Sequence, residues 1–373
     1  MKRPDKYWPR AATILWTAIL MAAPGAPVQR VHPRTIVEIK GEKFIINGRP
    51  TYADRHWQGL SIEGLLFNSR MVQGVFDDSN PATREAWKYP DTGTWDPDRN
   101  TNEFVGAMAE WKTWGVIAFT LNLQGGSPVG YGNNRGWVNS AFDPDGNPRP
   151  EYFARLERIL DRADELGMVV ILGLFYFGQD QHLKSEAAVL QAVDQTMDWL
   201  FRKAHRNILI EIDNECDVES YDHAILKPDR VHELILRVKR RERNGYRFST
   251  GTSYGGGTIP GPKVVQASDF LLLHGNGVSD PNRIGAMVRE TRRVQGYRPM
   301  PILFNEDDHY DFEKPLNNLV AAVRESASWG FFDYRRTRES FEEGFQSVPV
   351  DWGIHSDRKR SFFQKIREIT GGN

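Results

Sequence analysis

Apolar and polar positions along this chain follow two alternating periods. Residues 35–52 (TIVEIKGEKFIINGRPTY) alternate apolar and polar around Gly41 and again around Asn47-Gly48, the pattern of a β-hairpin. Beyond it, strand-like runs alternate with helical ones. A first strand is expected within 64–76, followed by a polar, Asp/Pro/Trp-rich loop over 77–102 and a helix over 103–114 that Gly115 stops. The second strand is VIAFTLNLQ (116–124), with a Gly-rich loop to about residue 149. In the helix predicted over 151–166, Phe153, Leu156, Ile159, Leu160 and Ala163 recur at spacings of three and four, and Gly167 ends it. MVVILGLFYF (168–177) is unbroken apolar sequence, as a parallel strand covered on both faces requires.

The same rhythm continues to the end of the chain. A helix over 185–203 precedes the strand ILIEIDNE (208–215), and an amphipathic helix covers 229–242. Strands follow at 246–253, 270–276, 301–308 and 329–335, with helices at 281–294, 315–326 and 356–369. Only the stretch between the fifth and sixth strands, short and rich in Gly and Pro, is a weak helix. Eight β/α units behind an N-terminal hairpin predict a single (β/α)₈ barrel, an α/β TIM barrel spanning 35–373 with long loops at the C-terminal face of the sheet.

Charge and cysteine content narrow the class. Lys+Arg number 48 against 49 Asp+Glu, a net charge of −1, so no basic field points to nucleic acid. Cys216 is the only cysteine, which excludes an internal disulfide and any Cys-cluster metal site. Residues 1–26 read as a signal peptide: Lys2, Arg3, Lys6 and Arg10 precede the apolar stretch 11–23, with small residues at 22–26. Removing these four basic residues together with Asp5 moves the net charge from −1 to −4. The expected location is secreted or periplasmic, with no membrane contact beyond export; a single N-terminal anchor is the alternative.

Polar residues concentrate where a barrel places its reacting groups, at the C-terminal ends of strands. Arg70, Asp77 and Asp78 follow strand one, and Asn122 and Gln124 close strand two. Tyr176 and Gln179 follow strand three, Asp213, Asn214 and Glu215 close strand four, and Tyr254 follows strand five. His274 and Asn276 end strand six, Asn305 to His309 end strand seven, and Asp333 and Tyr334 end strand eight. Two glutamates stand out, each after an apolar strand and an asparagine: IEIDNE and ILFNE. Strands four and seven face one another across the mouth, so Glu215 and Glu306 can flank one bond, the arrangement that glycoside cleavage needs.

These two strand endings resemble clan A of the glycoside hydrolases, the retaining (β/α)₈ enzymes that include the family 5 cellulases and mannanases. The resemblance implies that Glu215 is the acid/base, Glu306 the nucleophile, and Asn214 the ligand of the sugar 2-hydroxyl. It further implies that His274 and Tyr254 position Glu306. Asn276, Arg70, Gln124, Tyr176 and Trp57 complete the expected substrate contacts, and neither a metal nor a cofactor is required. Carbohydrate is the expected partner. The chain departs from the family pattern at Thr120, where an arginine is usual and for which Arg70 is the substitute. It also departs at Asn276, at Cys216 after N-E, and at Phe331, Phe332 and Tyr334 on strand eight.

Two other readings remain open at this stage. Asp307, Asp308 and His309 with His274 predict a metal-dependent barrel hydrolase; the same cleft without turnover predicts a carbohydrate-binding barrel. Glu211, on the same strand face as Glu215, is expected to be a structural lumen carboxylate paired with an arginine such as Arg70. Trp57, Tyr176, Tyr254 and Phe331 are expected to offer stacking faces for sugar.

Overall fold

Eight short parallel strands carry the architecture of this computed structural model: β1 (Asn68–Arg70), β2 (Ala118–Asn122), β3 (Val169–Tyr176), β4 (Ile208–Asn214), β5 (Ser249–Gly251), β6 (Leu271–His274), β7 (Ile302–Glu306) and β8 (Gly330–Phe331). Each is followed by a helix: α1 (Pro97–Thr113), α2 (Pro150–Leu166), α3 (Glu186–Lys203), α4 (Val231–Lys239), α5 (Pro262–Ala267), α6 (Pro281–Thr291), α7 (Asn318–Arg324) and α8 (Asp357–Thr370). Six strands form one parallel sheet in the order β5-β4-β3-β2-β1-β8, and β6 pairs with β7. Two joints complete the ring. Ser328, just before β8, bridges Leu303 of β7, and the N–H of Asp269, just before β6, donates to the Thr250 carbonyl of β5 at 2.9 Å. The fold is the expected (β/α)₈ barrel.

The structure describes residues 33–131 and 136–372, together with Met1. The signal peptide expected over 1–26 lies outside the described residues, Met1 apart. Among the described residues no helix is long and apolar enough to cross a membrane.

Element ends follow local chemistry. Helix α1 starts six residues before the predicted position because Asp96 caps it, accepting the N–H groups of Asp98 and Arg99, with Pro97 in the first turn. The polar run after that cap hid it from a reading based on apolar spacing. Ser185, Asp280, Asn317 and Ser356 cap α3, α6, α7 and α8 in the same way. The weak helix between β5 and β6 is present as the six residues of α5.

The barrel lumen is layered. At its lower end Leu66, Ala118, Val169, Ile171, Leu209, Phe270, Leu272 and Leu303 form an apolar cluster, completed by Val37 and Phe44. Those two come from the N-terminal segment, which is a three-stranded antiparallel meander (Val37–Lys40, Lys43–Ile46, Arg49–Pro50) rather than a single hairpin. Its second turn places Asn47 at φ 50° and Gly48 at φ 80°, the left-handed pair that a tight Asn-Gly turn requires. Moving up each strand by two residues keeps the same face. The inward positions then turn polar: Asn68 and Arg70 on β1, Thr120 and Asn122 on β2, Glu211 and Asp213 on β4, and Asn305 on β7. All are at most 1% exposed. Gly173 makes room for this layer, since a Cβ there would lie 2.2 Å from Oδ1 of Asn122.

Candidate active site

The upper rim brings Glu215, His274, Glu306, Arg70, Asn214 and Asn276 together. One oxygen of Glu215, one of Glu306 and a ring nitrogen of His274 lie within 4.8 Å of one another. Nδ1 of His274 is 2.8 Å from Oε1 of Glu215 and 3.7 Å from Oε2 of Glu306. Arg70, 1% exposed, makes an ion pair with Glu306 at 2.6 Å through Nε and donates from Nη2 to Oδ1 of Asn214, also at 2.6 Å. The Asn276 amide donates to Oε1 of Glu306. Glu306 thus carries a guanidinium on one oxygen and an amide on the other.

Contact and burial oppose each other at this carboxyl. Burial is the largest influence on Glu306 and pushes it above the usual carboxylate range, although Arg70 and His274 both pull it down. Burial also acts on Glu215, but there the hydrogen bond and charge of His274, with Arg70, outweigh it and hold the carboxyl below its usual range. For His274 the ordering is similar: burial disfavours the imidazolium, yet Glu306 and Glu215 hold its pKa above the model-compound value of 6.5. Glu215, His274 and Glu306 therefore titrate as one set beside a guanidinium that stays charged.

His274 serves Glu215 more directly than Glu306, contrary to the expected role. Its position follows from an irregularity in β6, where the register against β7 shifts between Leu273 and His274 and pairs His274 with Glu306. Tyr254 does not reach Glu306 either; it hydrogen bonds Cys216, behind the loop that carries Glu215. Arg70 pairs with Glu306 and not with Glu211, whose Oε1 instead accepts from Ser253 Oγ at 2.7 Å.

Tyr176 is buried at the edge of the site. Its hydroxyl lies 2.9 Å from Ser127 Oγ, and burial, then Glu306 and Glu215, push the phenol upward. Gln124 is fully buried and bonds Ser140 and the Gln179 carbonyl, so it pins the loop after β2 instead of facing ligand. Trp57 is displaced furthest: its indole N–H donates to Glu368 near the end of α8, at the opposite end of the barrel from the mouth. Phe331 stacks on Phe362 at 4.4 Å in the core and offers no face to a ligand. An aromatic group that the sequence did not single out does reach the rim. Tyr131, half exposed, packs against Tyr334 and Phe332 at ring separations of 5.0 and 5.5 Å and hydrogen bonds Asp308. Its place in a Gly-rich loop left no periodic signal.

The second acidic cluster, Asp307, Asp308 and His309, is separate. Both oxygens of Asp307 are engaged: Oδ2 by Trp329 Nε1 and Asn318 Nδ2 at 2.9 Å each, Oδ1 by the N–H and Nδ1 of His309 at 3.1 and 2.8 Å. Gly275 is required here, because a Cβ would meet Oδ2 of Asp307 at 2.3 Å. His274 belongs to the other cluster, so the four ligands expected of a metal-dependent hydrolase do not converge. At the upper cluster, Oε2 of Glu306 is already paired with the Arg70 guanidinium.

No protein-family profile matches the chain, and no curated protein does. Solved structures match its shape at low identity. An endo-1,4-β-mannanase from Rhizomucor miehei superposes with a TM-score of 0.55 at 10% identity, covering 90% of this chain and 99% of its own. A β-mannanase from the blue mussel Mytilus edulis gives 0.52 at 9% identity, with coverage of 90% and 96%. A broad-specificity endoglucanase from Clostridium longisporum gives 0.51 at 10% identity, with coverage of 82% and 96%. At such identities the likeness establishes a shared barrel fold, and function rests on the residues at the rim.

Proposed function

We propose that the protein is a retaining glycoside hydrolase acting on a β-linked oligo- or polysaccharide. The observation that carries this reading is the approach of the Glu215 and Glu306 oxygens to within 4.8 Å across the mouth. Retaining enzymes hold their carboxyls about 5–5.5 Å apart, whereas inverting ones leave about 6.5–9.5 Å for a water. Glu306 attacks the anomeric carbon while Glu215 protonates the departing oxygen; Glu215 then removes a proton from the water that releases the glycosyl-enzyme. Asn214, oriented by Arg70, is placed to bind the 2-hydroxyl. The mannan- and glucan-cleaving barrels of similar shape support a β-mannan or β-glucan as substrate. Under this proposal the leader segment exports the enzyme to a polysaccharide outside the cytosol.

Double displacement needs Glu306 ionised and Glu215 protonated, whereas burial favours the protonated form of both and the His274 contact opposes it at Glu215. At Glu306 the contacts work against burial, and at Glu215 the histidine that lowers the carboxyl is also a proton source. Arg70 and Asn276 stabilise a carboxylate at Glu306, and His274 is 2.8 Å from Glu215, close enough to pass it the proton. The assignment is tested with azide and an activated aryl β-glycoside. Glu215→Ala should be rescued with a β-glycosyl azide as product, and Glu306→Ala with an α-glycosyl azide. The opposite pairing would exchange the two roles, and full activity of either variant without azide would end the proposal.

A further inference from the structure

Glu215 lies one residue beyond β4 and holds φ at 55°, a left-handed conformation that a residue with a Cβ adopts only when its surroundings impose it. Ser253, two residues past the end of β5, imposes it twice. Its Oγ accepts the Glu215 N–H at 3.0 Å, and its carbonyl accepts the Cys216 N–H at 3.0 Å. The Ser253 hydroxyl donates in turn to Oε1 of Glu211 at 2.7 Å. The carboxyl oxygen accepts, so the hydroxyl hydrogen points at it and the Oγ lone pairs are left for the Glu215 N–H. Glu211 and Ser253 are both fully buried in the lumen, below the reacting carboxyls. Glu211 also receives the Asn305 amide at 3.3 Å, from the residue that precedes Glu306.

We propose that Glu211 and Ser253 are positioning residues that hold the acid/base in place through the Glu215 backbone. Without the Ser253 hydroxyl the Glu215 N–H loses its partner, only the Cys216 N–H on the Ser253 carbonyl still opposes relaxation of the left-handed residue, and the carboxyl moves away from the departing oxygen. The inference rests on the glycosidase reading and on Glu215 as its acid. It also explains why a carboxylate sits four residues inside the strand while making no ion pair with Arg70.

The test compares two leaving groups, because a departing dinitrophenolate needs no proton and a phenolate does. Wild type, Ser253→Ala and Glu215→Ala are assayed on 2,4-dinitrophenyl and phenyl β-cellobiosides and β-mannobiosides. The readout is the ratio of kcat/KM between the two leaving groups, which is insensitive to the folded fraction. Ser253→Ala should shift this ratio against the phenyl substrate by about tenfold or more, in the same direction as Glu215→Ala and by less. Ser253→Cys keeps the side chain's shape with a much weaker hydrogen-bonding group, and should shift it likewise if the alanine variant does not fold. A ratio that moves in Glu215→Ala but stays at the wild-type value in the Ser253 variants overturns the positioning role alone. A ratio that does not move even in Glu215→Ala overturns Glu215 as the acid, and wild type that cleaves none of these glycosides overturns the glycosidase reading beneath it.

Discussion

Glu306 and Asp307 are chain neighbours, both buried, both pushed upward by burial, and each stands in a cluster of two acids and a histidine. They differ in what surrounds them. Asp307 spends both oxygens on Trp329, Asn318 and His309, which tie the ends of β7 and β8 to α7. Glu306 meets a guanidinium, an amide and, across a short gap, a second carboxyl at the open end of the barrel. A cluster of acids and histidine is thus not a site by composition. One whose acceptors are spent on the fold acts as a brace; one that keeps an oxygen facing another reactive group has chemistry left to do.

Neighbouring isosteric substitutions should separate the two most sharply. Glu306→Gln should remove turnover to background while leaving the unfolding midpoint near wild type. Asp307→Asn should do the opposite. It places an amide hydrogen against donors from Trp329 and Asn318 and should cost about 1–3 kcal/mol of stability in denaturant unfolding, with activity per folded molecule retained. Equal losses of activity in both would merge the clusters into one site.

A pH profile makes a smaller distinction. His274 has a raised folded pKa, so its proton is held through pH 6.5 and lost only as pH climbs through the higher value. If that proton supplies Glu215, the alkaline limb of kcat/KM should lie above pH 6.5, and His274→Asn should move it. A limb that stays put in the variant would separate His274 from the proton supply. The smallest expected effect is that of a chelator: prolonged EDTA treatment should leave turnover unchanged. Loss of activity restored by a divalent cation would return Asp307, Asp308 and His309 to contention.

The eight-unit rhythm and the two glutamates were legible in the sequence because both depend on strand period and strand order. Trp57 and Gln124 were misplaced because their places follow from tertiary packing: Trp57 by its bond to Glu368 at the far end of the last helix, Gln124 by its bonds to Ser140 and to the Gln179 carbonyl beyond β3. Ser253 left no trace, since its importance comes from a backbone angle at Glu215 that no residue pattern reveals. The partner of Arg70 was misread for a related reason. Glu211 and Glu306 both lie toward the lumen, and only the reach of the guanidinium decides between them.

The apolar layer at the foot of the barrel has a consequence for how the chain is assembled. Val37 and Phe44 share a cluster with Phe270 and Leu303, more than two hundred residues away. During synthesis the meander leaves the ribosome before any barrel strand, yet the surface on which it docks is complete only once β7 has been made. The earliest strands therefore cannot complete the burial of their apolar face until β7 has been made.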